Sequence, residues 1–472
     1  MQIKHFSKKK LLVSLLFAFI LLVLSLFVKE SIGRFISVST LVLFFYLFYL
    51  FSEKISFAFI SFLLLSLPLN ITYQVPIEFS KTLVNNIHVN YLVPTLSIID
   101  LGVFLFITAL LIENRLQFKT IFQKYKLPLF LFSLILLLQN IFFRDLLVSL
   151  NSARFLTYIF TFLILIEEFR RKRIETKEVN LFSILLFLTT AGQAIVGYLQ
   201  FKRGVSLGIN FLGESQVAAG LLGSSFVSLS GTEILRSYGT FPHPNILAGF
   251  FLFSFFLSLY FVKNIQKKYS FIPFLTMLIS VISIIPTFSR VTILLLFFSI
   301  LILSFTFFIR KKRLLSFTPI LLVERFLSLL KGGDSGAIDR SNLVKVFPSI
   351  FKENIFQGMG FGRYVLFMGD RAPVTKGGLF LLQPVHNVFL LLLSELGIFG
   401  FLSFSFLIYK ILKENIKSLT ISSVLILSSV LVIGMFDHYL VSLPQGVGML
   451  WGFVGLAILF SNKLKQDKED IN

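Results

Sequence analysis

Residues 245–262 read NILAGFFLFSFFLSLYFV, and Lys263 is the first charge to follow them. An uncharged apolar run of this length matches the roughly 20 residues a helix needs to cross the hydrocarbon of a bilayer. Similar runs fall near 11–28, 35–51, 55–71, 91–112, 128–143, 147–166, 180–200, 270–287, 291–309, 388–409, 418–436 and 440–461. Of the 472 residues, 56% are hydrophobic and 14% charged, far too apolar a balance for a soluble surface. The expected fold is therefore an all-α polytopic integral membrane protein with about 12–14 transmembrane helices.

The net charge of +21 would suit a nucleic-acid partner if it formed one patch. It is instead spread over alternate connectors: 115–126, 170–177, 263–268, 310–313, 410–417 and the tail 462–472. By the positive-inside rule these connectors lie in the cytoplasm, so the charge reads as topology and no nucleic acid is expected. The run 11–28, preceded by Lys4, Lys8, Lys9 and Lys10, is too long for a secretory core and lacks a small-residue cleavage site, so it reads as an uncleaved first span. Basic termini on one side require an even number of crossings. The extra one is assigned to a short or broken span at Leu314 to Leu330, which carries Pro319 and Glu324-Arg325.

This topology leaves two long non-cytoplasmic loops, 201–244 and 331–385, and a smaller one at 72–90. Loops so long tend to carry function. The first ends in Arg236-Ser-Tyr-Gly239-Thr-Phe-Pro-His-Pro-Asn245, which leads into the opening span. Its prolines fix the helix entrance and Asn245 can cap the new helix. Arg236 there can bind an anion with its planar fork, or simply meet lipid headgroups. Arg290, in the turn Pro286-Thr-Phe-Ser-Arg290, can snorkel to the interface or join the same site. Arg340, in Asp339-Arg340-Ser-Asn, falls on a short amphipathic helix of the second loop, where contact with Asp339 is the plainer reading.

Cysteine is absent and histidines number five. His386, in Gln383-Pro-Val-His386-Asn387, stands at a helix N-terminus, whose dipole favours the neutral imidazole a general base needs. His438, beside Asp437, is its rival; His88 lies in the small loop and His5 in the basic tail. No ligand cluster with metal spacing and no nucleotide-binding glycine loop is visible, so neither metal nor cofactor is expected.

In order, Arg236-x-x-Gly-Thr-Phe-Pro-x-Pro-Asn245, Ser289-Arg290, Arg340, Gly358-x-Gly360-x-Gly362, His386-Asn387 and Glu395-x-Gly397 resemble the O-antigen ligase and O-antigen polymerase superfamily over residues 236–401. The resemblance implies an inverting, metal-independent transfer of a glycan from a polyprenyl pyrophosphate carrier to a glycan, lipid or protein acceptor. It gives His386 the role of general base, and Arg236 and Arg340, with help from Arg290, the role of pyrophosphate ligands. Asn245, Asn387 and Gly360 would support them. It also implies a cytoplasmic (inner) membrane location, with the site facing the periplasm or exterior. The aromatic residue common after the loop arginine is Phe347 at best.

The chain thus divides into N-terminal transmembrane helices (1–200), a ligase-like core with both loops (201–461) and a basic tail. Alternatives are a polymerase that extends a lipid-linked glycan and, from another class, a flippase for such lipids. A flippase needs ionisable groups inside its spans, where only Asp100 and Arg154 qualify.

Overall fold

The computed structural model describes residues 8–25, 31–115, 118–171, 174–218, 221, 223–229, 232–311, 335–375 and 378–469. The crossing expected at Leu314 to Leu330, and His5, lie outside them. The helices are α1 Lys8–Ser25, α2 Ile32–Ser52, α3 Ile55–Ser66, α4 Ile98–Ile112, α5 Phe118–Phe143, α6 Leu146–Arg171, α7 Thr176–Arg203 and α8 Pro244–Asn264. They continue as α9 Phe271–Ile284, α10 Arg290–Lys311, α11 Ser335–Phe351, α12 Val388–Asn415, α13 Ile421–Phe436, α14 Tyr439–Ser442 and α15 Pro444–Glu469. Among the described residues eight helical segments are long and apolar enough to cross a membrane, and four further apolar helices are shorter. The protein is a multi-pass, helical membrane protein.

Among the described residues strand is confined to antiparallel pairs in the connections: β1 Thr72–Gln74 with β4 Thr95–Ser97, β2 Leu83–Val84 with β3 Ile87–His88, and β5 Phe226–Leu229 with β6 Thr232–Leu235. Two apolar runs are not single helices over their whole length. The run at 91–112 is helical only from Ile98, because Ser97 and Asp100 form a reciprocal capping box there. The run at 440–461 is split into α14 and α15, with Pro444 opening the second.

The opening run forms α8, and residues along nearly its whole length are buried, as expected of a helix apolar all round. It packs against α9 above all, and against α7, α13 and α15. Close approach elsewhere relies on glycines of α15: Gly455 receives the Phe162 ring, and Gly452 receives Leu63 and Leu67. Small residues of this kind let helices meet where lipid supplies no hydrophobic drive between them.

The basic connectors gather at one end of the bundle. Arg170 donates to Asn415 Oδ1 at 2.7 Å, Asn462 Nδ2 reaches the same oxygen at 3.3 Å, and Lys54 pairs with Glu175 and the buried Glu178, each at 2.8 Å. Asp100 and Arg154 are locked to each other: the guanidinium contacts both carboxylate oxygens at 2.9 Å and also binds Thr95 O, while Tyr158 donates to the carboxylate at 2.7 Å.

Helix α12 breaks at Gly397 (φ 68°, ψ 176°), which strips three backbone groups of helical partners. The glycine loop supplies replacements: Met359 N–H donates to Ser394 O at 3.0 Å, Gly360 N–H to Glu395 O at 3.1 Å, and Ile398 N–H to Ile355 O at 2.8 Å. Gln139 Nε2 closes the seam by donating to Gln357 O and Glu395 O at 2.8 and 2.7 Å. Gly358 (φ +73°) lies so close that a Cβ would collide with the Glu395 carbonyl. Gly358→Ala is expected to cost roughly 2–5 kcal/mol from left-handed strain plus overpacking. Thermal unfolding in detergent measures this, and an unchanged melting temperature would contradict the seam.

Candidate functional site

At the end of the bundle away from the basic connectors, a cavity of about 610 Å³ opens among the ends of α8, α10, α11 and α13, the segment before α12 and the β5–β6 hairpin. Arg236, Arg290, Arg340, His386 and Asn245 all line it. Four stretches of chain separated by up to 150 residues (386 minus 236) thus deliver their polar side chains to one space.

Arg236 follows β6, and its backbone N–H donates to Ser225 O at 3.1 Å, closing the hairpin. The turn after it is drawn onto α7, where Gln200 Oε1 accepts from Gly239 N–H at 2.8 Å and Gln193 Oε1 from Thr240 N–H at 2.9 Å. The guanidinium is thereby aimed across the turn before α10: Nε donates to Thr287 O at 2.6 Å and Nη2 to Asn245 Oδ1 at 2.7 Å. Arg290 is the first residue of α10 and Arg340 sits in the second turn of α11, the short helix expected around it.

One expectation is corrected here. Asn245 does not cap α8; Pro244 takes the first helical position, so the cap falls on His243, whose Nδ1 accepts from Asn245 N–H at 3.2 Å. His243 Nε2 lies 3.1 Å from Ser225 Oγ. Burial, reinforced by Arg236, pushes this imidazole down to about 3, leaving it neutral. The Asn245 side chain, released from capping, donates from Nδ2 to Asp437 Oδ2 at 2.8 Å.

Asp437, which the sequence sets beside His438, also reaches His386. It ends α13, and its Oδ1 accepts from His438 N–H at 2.8 Å while lying 3.4 Å from His386 Nδ1. The His386 contact is close enough for charge attraction but not aligned as a hydrogen bond, which leaves Nδ1 a buried atom without one. On the other side of the ring, Nε2 is 3.3 Å from Gln383 Oε1. Burial alone would raise the Asp437 carboxyl, but His386, His438 and Arg340 overcome it and hold it well below the ordinary range. His438 stands behind the wall as a support: its ring meets that of His386 edge-on at 4.7 Å, and its Nδ1 is 2.6 Å from Ser442 Oγ.

The remaining expected residues fall outside the cavity lining. Asn387 caps α12, accepting from Leu390 N–H at 3.0 Å, and ties it to α13 by donating to Met435 O at 3.1 Å. Gly360 belongs to the seam at the α12 break. His88 is bound to Thr82 Oγ1 at 2.8 Å and stacks on Phe79. Phe347 stacks on Phe351.

No metal-ligand cluster was expected, yet ligand atoms of His386, Asp437 and His438 lie within 4.8 Å of one another. Residues 52 apart in sequence (438 minus 386) form it, so no spacing rule could find it. Two features favour a hydrogen-bonded unit over a cation site: Asp437 already serves Asn245 and His438, and three guanidinium-bearing residues line the adjoining cavity. Chemically, the arrangement combines an imidazole backed by a carboxylate with cations able to receive a polyanion. Compared with known protein families and with curated proteins, the chain matches none.

The buried histidine sets a pH dependence. Burial pushes His438 down to about 3 from 6.5, so the unfolded chain binds a proton that the folded chain refuses. Stability should therefore fall as pH drops below about 6.5, by up to about 1.4 kcal/mol per unit from this group. Denaturation midpoints of wild type and His438→Asn between pH 7 and 5 measure it; equal slopes in both proteins would refute the assignment.

Proposed function

We propose that this chain is a glycosyltransferase of the O-antigen ligase and polymerase type. It moves a glycan from a polyprenyl pyrophosphate carrier to an acceptor hydroxyl at the outer face of the cytoplasmic membrane. One observation carries the reading: Arg236, Arg290 and Arg340 converge with the His386–Asp437 pair on a single cavity. Its position opposite the basic connectors supports an extracytoplasmic site, since those connectors favour the cytoplasm.

In this mechanism His386 carries its own proton on Nδ1, towards Asp437, and its bare Nε2 takes the proton of the acceptor hydroxyl, which replaces Gln383 beside it. That oxygen forms a bond to the anomeric carbon from the face opposite the pyrophosphate. The carbon–oxygen bond to the carrier breaks, its electron pair leaves with the pyrophosphate, and the anomeric configuration inverts. The imidazolium so formed faces Asp437, and the arginines receive the charge of the leaving group. A planar guanidinium suits bidentate binding of phosphate oxygens, which is why arginine serves here better than lysine.

The acceptor is a glycan, a lipid or a protein, and ligase and polymerase share this chemistry. The flippase reading loses support because Asp100 and Arg154 neutralise each other in a closed pair rather than lining a path.

His386→Ala is expected to reduce transfer from a polyprenyl pyrophosphate glycan by about 10²-fold or more while donor binding persists. Transfer at the wild-type rate by a folded variant would remove the mechanism. A flippase would instead move the carrier across vesicle membranes without releasing polyprenyl pyrophosphate. Arg236→Ala and Arg340→Ala should each raise the donor KM more than the acceptor KM, and steady-state kinetics with both substrates varied reads the difference. Equal effects on the two would argue against phosphate binding by these residues.

A further inference from the structure

The Asn245 amide stands between two oppositely charged groups that would otherwise attract each other. Its Oδ1 accepts from Arg236 Nη2 at 2.7 Å and its Nδ2 donates to Asp437 Oδ2 at 2.8 Å. A carboxamide is the uncharged side chain that accepts at one end and donates at the other. Its orientation is fixed by its partners, because the flipped amide would set N–H against guanidinium and carbonyl against carboxylate. The backbone is fixed as well, by Pro244 at the helix start and the bond to His243.

A direct Arg236–Asp437 pair would cost the site twice. It would neutralise the cation that faces the cavity, and it would take the carboxylate away from His386. We propose that Asn245 is a neutral spacer: it holds Arg236 and Asp437 in register but apart, so that the first keeps its charge for an anionic ligand and the second for the imidazole. Asn245 is thus a positioning residue, and the inference rests on the reading of Arg236 as a pyrophosphate ligand.

The groups that act on Asp437 and His386 come from several elements. They are Arg340 of α11, His438 of the turn after α13, His243 before α8, Tyr91 and Tyr439. Arg290, Asp339 and Glu233 complete the charged lining of the cavity. Asn245→Asp leaves all of these in place and adds one negative charge between Arg236 and Asp437. It should therefore weaken anion binding and raise the pH at which His386 loses its proton.

The test uses the full chain in nanodiscs, with inorganic pyrophosphate titrated calorimetrically. In parallel, the pH midpoint of His386 acylation by diethyl pyrocarbonate is read at that residue by mass spectrometry. Asn245→Asp should lower pyrophosphate affinity about tenfold and raise the His386 midpoint by about one unit. Asn245→Ala should also lower affinity, because Arg236 closes onto Asp437, and adding Asp437→Asn should restore most of it. A residue that merely supported the fold would show no such rescue. Wild-type affinity in Asn245→Asp with an unmoved midpoint, or a double variant no better than Asn245→Ala, would overturn the spacer. If the wild type binds no pyrophosphate, the anion-site reading falls, while the His386 midpoint still decides whether Asn245 shields Asp437.

Discussion

A carboxylate enclosed at the mouth of a helical bundle is tolerable only when its oxygens are met by donors or positive charge. Asp437 meets that condition with the Asn245 amide, the His438 backbone and the imidazole of His386, each from a different stretch of chain. Satisfying one buried charge thereby fixes the relative positions of α8, α12 and α13. Arg236 joins through Asn245 and brings the β5–β6 hairpin with it. The site is a by-product of this single electrostatic demand, and removing any partner would leave the others unsatisfied as well.

The seam at Gly397 does similar work for the other half of the site. Breaking α12 exposes backbone groups that would be costly in an apolar surround, and the chain between α11 and α12 is held in place by supplying them. That chain joins α11, the helix of Arg340, to His386 at the entrance of α12. The spaced glycines of 358–362 and the Glu395-x-Gly397 pair are thus two halves of one contact. A Cβ at Gly358 would meet the backbone of residues 395–397, so the two motifs depend on each other.

The membrane class and four of the polar residues of the cavity were legible in the sequence for different reasons. Long uncharged runs have few soluble explanations. Arg236, Arg290, Arg340 and His386 are conspicuous because ionisable groups at the ends of apolar helices are rare enough to examine singly. What sequence could not reveal is pairing across distance. Asp437 reads naturally with its neighbour His438, yet its carboxylate is shared with His386 and Asn245. Nor could it place the cap of α8: His, Pro and Asn in succession allow several starts, and the proline at the first helical position decides for His243. The ladder at 72–97 was equally hidden, since an apolar strand and an apolar helix look alike over so few residues.

The walls of the cavity are seated at unequal depth. Asn245 rides on α8, surrounded by protein on every side, and His386 and Asp437 belong to helices stitched together by Asn387. Arg290 instead heads α10, whose Phe298, Leu301, Ile302 and Phe305 face outward. His386 and Asp437 are thus held to each other by a direct link between their helices, while Arg290 stands at the head of a helix on the outer side of the bundle.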